Sequence, residues 1–257
     1  MKTDPMPEPT VAELVASHQG VPGERELAAH YAPIIHFNER EPFLPLAVGY
    51  TIFRADGASP SFDRTIVLAP PGKPAAAMAI EYALWWDWDI GHLYELEHVW
   101  AFIDGQGRVV RGEASAHGHY LDLSVDGHLP LTGDRLTVYS EPGKHAFVPM
   151  REWLDGRAET TLEDCTTKAG EDGVLVTRLF QGKIRVKTPE ADRLVRDWLR
   201  QQAFRPGPAY NRVYAVPAEV LVPWPALYEW IPRRVAWCVA QLEQPLSSCP
   251  ECRSCDP

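Results

Sequence analysis

The sequence predicts a mainly β protein: an antiparallel β-sandwich carrying additional C-terminal α-helices. Three observations predict it. Short runs rich in Val, Ile, Tyr, Phe and Trp recur between residues 34 and 140, separated by Gly, Pro and Asp turns. Apolar residues make up 45% of the 257 and aromatics 10%, enough to fill a substantial core. After Pro149 the spacing of apolar residues changes and helical patterns take over.

Residues 1–28 read as an N-terminal extension, Pro- and Glu-rich at first, with short helical patches in "VAELVASHQG" and "GERELAAHYAP". Pro33 forces an extended start, and the sandwich core spans 29–150. Its strands are "IIHFN", "GYTIFR", "RTIVLA", "AAMAIEYALWW", "LEHVWAFID", "VVRGEASAHGHY" and "RLTVYS". "DGQG" between the fifth and sixth of these is a hairpin signal, which makes those two strands neighbours. Residues 151–245 read as an α/β extension packed on the core. There "MREWLDG" is a short helix, "GVLVTRLF" and "KIRV" are strands, and "TPEADRLVRDWLRQQAF" is an amphipathic helix capped by Thr188 and begun by Pro189. "VPWPALYEWIPRRVAWCVAQLEQ" reads as an interrupted helical stretch whose Trp224, Trp230 and Trp237 pack on the sandwich, and this aromatic third offers a face for a homodimer. Residues 246–257 are a Cys-rich tail, "CPECRSC" within it. Cys249, Cys252 and Cys255 read either as reduced thiols or as a soft-metal knuckle whose fourth ligand is missing nearby.

The formal net charge of −10 argues against nucleic acid and anionic membrane surfaces, since both demand an excess of Lys and Arg. No eighteen consecutive apolar residues occur, so stable membrane insertion is not expected. The opening twenty residues hold no apolar run behind a basic stretch, and the expectation is a soluble cytoplasmic protein.

The chemistry concentrates in "WWDWDIGHLYELEH", Trp85 to His98, which sets Asp87, Asp89, Glu95, Glu97, His92 and His98 among three tryptophans. Carboxylates beside so much apolar surface are costly unless they are solvated or meet a positive charge. Strand alternation puts Glu95 and Glu97 on one face, and Leu96 and His98 on the other. On the hairpin partner, Glu113, Ser115, His117 and His119 share a face, so a common polar cluster is expected. If Asp87 or Asp89, His92, Glu95 and Glu97 converge, they offer oxygens and one imidazole. That set suits a divalent metal ion, magnesium, calcium or manganese first, with zinc also within range. The zinc-protease pattern H-E-x-x-H is absent, because His92 meets its acids in H-x-x-E-x-E-H. The competing reading is a charged loop followed by a half-exposed strand. No G-x-S-x-G elbow, P-loop or G-x-G-x-x-G occurs. His18, His30 and His128 read as surface groups, His36 as a core or edge imidazole, and His145 as a loop residue after a strand.

These residues also carry a resemblance. "AIEYALWWDWDIGHLYELEHVWAFID" resembles the core of the necrosis- and ethylene-inducing protein family, whose hallmark heptapeptide is G-H-R-H-D-W-E. Gly91, His92 and Glu97 match it, and Glu95 stands for its aspartate. "SAHGHY" is similar to the family's S-A-H-G-G-Y, and "KHAF" to its last histidine-bearing loop, while "HYAPIIHFNEREPFLPLAV" resembles the opening strand of vacuolar-protein-sorting-like relatives. The resemblance covers residues 30 to 150. It implies a β-sandwich with a divalent cation held by Asp89, His92, Glu95 and Glu97, with Asp87 as the alternative to Asp89. His117 and His145 would line the same cavity. Leu93, Tyr94 and Leu96 depart from the heptapeptide and alter the cavity wall.

Two functions follow. In one, the chain is a metal-dependent hydrolase with His117 or His98 as general base. In the other, it is a non-catalytic module in which the cation orients a small polar ligand, a sugar or a lipid head group. A purely structural ion is the third reading.

Overall fold

The computed structural model describes residues 6–18 and 20–243. In chain order, α1 (Val11–Ser17) and α2 (Glu24–Tyr31) lead into β1 (Ile34–Phe37), β2 (Ala47–Phe53), β3 (Gly57–Ala58), β4 (Thr65–Ile66), β5 (Met78–Trp88), β6 (His92–Ile103), β7 (Val109–Ala116) and β8 (His119–Asp122). Next come β9 (Leu131–Thr132), β10 (Arg135–Ser140), β11 (Phe147–Val148), α3 (Glu152–Asp155), α4 (Ala158–Cys165), β12 (Gly173–Val174), α5 (Pro189–Gln201), β13 (Arg212–Ala215), β14 (Leu221–Pro223) and α6 (Trp224–Leu242). Cys249, Cys252 and Cys255 lie outside the described residues.

Two large sheets pack together. One is seven-stranded, in the order β14-β2-β5-β6-β7-β8 with β12 added to β6. The other is five-stranded, β11-β10-β1-β13 with β9 added to β10. The expected β6–β7 hairpin is present: Asp104 accepts hydrogen bonds from the backbone of Gln106 and Arg108 and closes the "DGQG" turn. The sheets are mixed and not wholly antiparallel, because β1 runs parallel to β10, β14 to β2 and β12 to β6. Parallel neighbours need long crossovers, and here β12 and β14 arrive from far along the chain.

β5 is buried along most of its length on both faces, which explains its unbroken apolar reading. One face meets the core between the sheets and the other meets α6, where Trp224, Trp230, Ile231 and Val235 are buried. α6 runs uninterrupted through Pro232, contrary to the expected break. A proline inside a helix costs about 3 kcal/mol, and the buried face of α6 outweighs that. Gly49 on β2 permits the close approach, since a Cβ there would fall 2.9 Å from the Trp224 ring. α1 carries a capping box between Thr10 and Glu13, and α5 starts as expected with Thr188 accepting from the Ala191 amide ahead of Pro189. Three short runs fall short of their reading. "GVLVTRLF" gives only Gly173–Val174 on β6 before a 3-10 turn at Arg178–Phe180. "RTIVLA" supplies only Thr65–Ile66, and "KIRV" makes no strand. The last two lack a long neighbour to pair with, and propensity alone does not hold a strand. No helix among the described residues is long and apolar enough to cross a membrane.

Candidate metal centre and ligand pocket

The site begins at the tight turn between β5 and β6. Asp89 Oδ1 accepts the Gly91 amide at 2.6 Å, an Asx turn. The turn is pinned from three sides. Ile90 N donates to Gly143 O at 2.9 Å, Gly170 N to Ile90 O at 2.8 Å and Asp172 N to Gly91 O at 3.0 Å. A side chain at Gly91 would be a tight fit, its Cβ 3.1 Å from Asp89 Oδ1 and 3.2 Å from Lys144 Nζ.

Strand alternation would send His92 and Glu95 to opposite faces. They converge because Tyr94 adopts φ +60°, a left-handed conformation that costs a bulky residue about 1–2 kcal/mol. Packing offsets the cost: Tyr94 stacks on Trp85 at 4.8 Å, and its hydroxyl is hydrogen-bonded at Thr177. His92 then lies 3.6 Å from Asp89 Oδ1 and 3.7 Å from Glu95 Oε2, both measured from Nε2.

A divalent cation fits this group. One ligand atom each from Asp89, His92 and Glu95 lies within 4.8 Å of the others. Asp89 is fully buried, and its Oδ2 has no hydrogen-bond partner. His92 Nδ1 is 2.8 Å from the Tyr94 carbonyl, so it donates there and leaves the Nε2 lone pair facing the acids. Burial alone would raise the Asp89 carboxyl, yet His92, when it carries a proton, and the Lys144 ammonium hold it below the usual carboxylate range.

Glu97 stands beside this group without joining it. Its carboxylate accepts from Ser115 Oγ and from the His117 amide. Burial, reinforced by repulsion from Glu95, pushes it well above the usual carboxylate value. His98 is buried against Trp100 and Phe62, with Nε2 3.0 Å from Ser61 Oγ. Burial, with the Arg64 charge nearby, lowers its imidazole to about 3, so it is neutral at physiological pH. Ser61 in turn donates to Glu81 at 2.6 Å.

Of the histidines lining the pocket, His117 is the most accessible. Its Nε2 is 2.7 Å from Glu141, which also accepts from Thr161 and Arg157. Burial opposes ionisation of Glu141, but those hydrogen bonds prevail and keep its carboxyl below the ordinary range. His145 lies behind the site and does not line the pocket. It is fully buried, stacked on Trp86 at 4.6 Å, with Nε2 3.4 Å from Glu41. Asp87 is turned away altogether, bound through both oxygens by Arg234 at 2.8–3.1 Å.

The open space in front is a pocket of roughly 560 Å³. His92, Glu95, Glu97, His98, His117 and Lys144 supply its polar lining, and Phe62, Tyr94 and Leu179 its apolar walls.

No protein-family model matches the chain, and no curated protein matches it. Solved structures that resemble it include toxin-fold proteins of the necrosis- and ethylene-inducing type. "NLPPya in complex with glucosamine" is 16% identical, covers 57% of this chain and 83% of its own, and superposes with a TM-score of 0.32. The necrosis and ethylene inducing protein 2 from the causal agent of cocoa's witches broom disease is 16% identical over 71% of this chain and 92% of its own, with a TM-score of 0.31. A protein described as a toxin fold for microbial attack and plant defense is 19% identical over 65% and 92%, at 0.30. Scores near 0.3 mark loose superpositions, and the chemistry of this site stands on its own geometry.

Of the residues singled out in the sequence, Asp89, His92 and Glu95 meet at one point, with Glu97, His98 and His117 around the same pocket. Lys144 and Glu141 are neighbours of the site that pattern reading missed. The signal for Lys144 was its position next to His145 in "GKHAF". Glu141 had none, because its partners lie 16 to 24 residues away.

Proposed function

We propose that the chain is a metal-dependent binding module for a small polar ligand such as a sugar or a polar head group. The single observation that carries this is the convergence of a buried Asp89 with His92 and Glu95, which line an open pocket. The volume suits a small molecule, and the mixture of apolar wall and few convergent polar groups is what orients one. In this reading Asp89, His92 and Glu95 hold magnesium, calcium or manganese, and Glu97, held by Ser115 and the His117 amide, stands beside them. The bound ion would supply positive charge for a ligand hydroxyl or anionic oxygen. The pocket side chains provide the donors, acceptors and the Phe62 and Tyr94 faces.

The reading includes a distant kinship with the necrosis- and ethylene-inducing proteins. Its support is that the motifs at Gly91–Glu97, Ser115–Tyr120 and Lys144–Phe147, far apart in sequence, meet around one pocket. A cytoplasmic setting stays part of the proposal on composition alone. Calorimetry with Mg²⁺, Ca²⁺ and Mn²⁺, followed by a glycan array with and without chelator, tests it. The expected result is metal binding in wild type, loss in Asp89→Asn and Glu95→Gln, and ligand capture that chelation reverses. Ligand capture indifferent to chelator and to both substitutions would end it.

One observation favours hydrolysis as a second reading. His117 is held by an ionised Glu141 at the pocket rim, as a general base is held by its orienting carboxylate. Product formation that disappears in His117→Gln, with ligand binding retained, would establish it.

A further inference from the structure

We propose that Lys144 is the resident counter-cation of this site and competes with a divalent ion for Asp89, so that removing it tightens metal binding. The inference rests on the metal-binding reading. Lys144 Nζ lies 2.5 Å from Asp89 Oδ1. That same oxygen is the one 3.6 Å from His92 Nε2, so an ion between Asp89, His92 and Glu95, whether on Oδ1 or on the unpartnered Oδ2, meets a carboxylate that the ammonium already neutralises. Two positive charges on one carboxylate repel, and burial strengthens the repulsion. The ammonium sits close against Gly91, where any side chain would crowd it. A Cβ on Gly91 would meet Lys144 Nζ at 3.2 Å, Asp89 Oδ1 at 3.1 Å and Asp172 Oδ2 at 3.4 Å.

The acids crowded among the tryptophans are therefore already partly neutralised by the chain itself. Lys144 is free to leave. Its side chain is 16% exposed and lines the pocket, and its four-carbon stem swings without backbone movement. The loop beneath stays fixed, since Glu141 N donates to Ala146 O at 2.8 Å and His145 N to Glu141 O at 2.9 Å. Metal entry then costs the Lys144–Asp89 contact, and Lys144 sets the concentration at which the ion is taken up.

The test is Mn²⁺ titration of the full chain, followed by electron paramagnetic resonance, for wild type, K144M, K144Q and K144R, with circular dichroism to establish folding. K144M or K144Q, whichever folds, binds Mn²⁺ about tenfold tighter or more, a modest part of the repulsion between charges at that separation. K144R, which keeps the charge, binds no tighter than wild type. Binding by a neutral variant where wild type shows none also supports the competition. Equal or weaker binding by both neutral variants, with wild type binding, overturns the competition and leaves the metal reading standing. No binding by any of the four proteins overturns both.

Discussion

Asp87 and Asp89 are two residues apart in the same charged run, and replacing each with asparagine separates an anchor from a ligand. Asp87 is bound by Arg234, whose side chain is only 7% exposed and is otherwise held by Glu8 and the Pro9 carbonyl. Removing one partner of a buried ion pair costs about 3–5 kcal/mol, because the other charge is left uncompensated. Glu8 is 47% exposed and still neutralises part of Arg234, which places Asp87→Asn near the lower end. For a chain of this size about 3 kcal/mol corresponds to a fall in Tm of roughly 6–12 °C. The double variant Asp87→Asn/Arg234→Met regains most of that loss, since neither charge remains to be buried. Metal affinity, measured below the lowered Tm, stays at the wild-type value in Asp87→Asn and falls at least about a hundredfold, as removal of a ligand demands, in Asp89→Asn. Differential scanning calorimetry and Mn²⁺ titration on the same samples read both effects. An unchanged Tm in Asp87→Asn, or equal losses of metal affinity in the two variants, would refute the assignment.

Three further outcomes are expected. Gly91→Ala crowds the Lys144 ammonium where it meets Asp89 and, on the competition argument, eases its departure, so the variant binds Mn²⁺ at least as tightly as wild type with its far-UV spectrum intact; weaker binding would contradict the argument. Since His98 titrates near 3 in the folded chain and near 6.5 unfolded, its stability contribution is present above pH 6.5 and is lost as pH falls. The loss by pH 4.5 is roughly 3 kcal/mol, read as the shift in urea midpoint between pH 7 and 4.5, and His98→Phe should show a smaller shift. Glu97 has the opposite sign for an acid: its raised carboxyl costs stability as pH rises above the unfolded value. Glu97→Gln therefore unfolds at a urea concentration equal to or above wild type at pH 8 in chelator, and a lower midpoint there would contradict the burial argument.

The strands were legible because their period of two survives in the sequence, and the hairpin because Asp104 and its glycines mark it. The heptapeptide was legible as a cluster, yet its geometry was not. Parity predicts Glu95 beside Glu97, and nothing in the letters Leu-Tyr-Glu announces a left-handed tyrosine that brings Glu95 to His92 instead. Choosing Asp89 over Asp87 needed Arg234, which is 147 residues away. The parallel edges and the continuous α6 were likewise decided by packing between distant segments. Local propensity does not encode that.

β12 is only two residues long, but it lies parallel to β6 with Gly173 opposite His92 and Val174 opposite Leu93. Three residues further on, Thr177 holds the Tyr94 hydroxyl. A nascent chain that has emerged from the ribosome only as far as residue 150 already contains every candidate ligand, but not the strand that sets their spacing. In the metal-binding reading proposed above, acquisition of the ion becomes a late event in biogenesis, tied to completion of the final third. Any circular permutation or split that separates residues 170–177 from 89–97 must restore that contact in trans before the cluster closes.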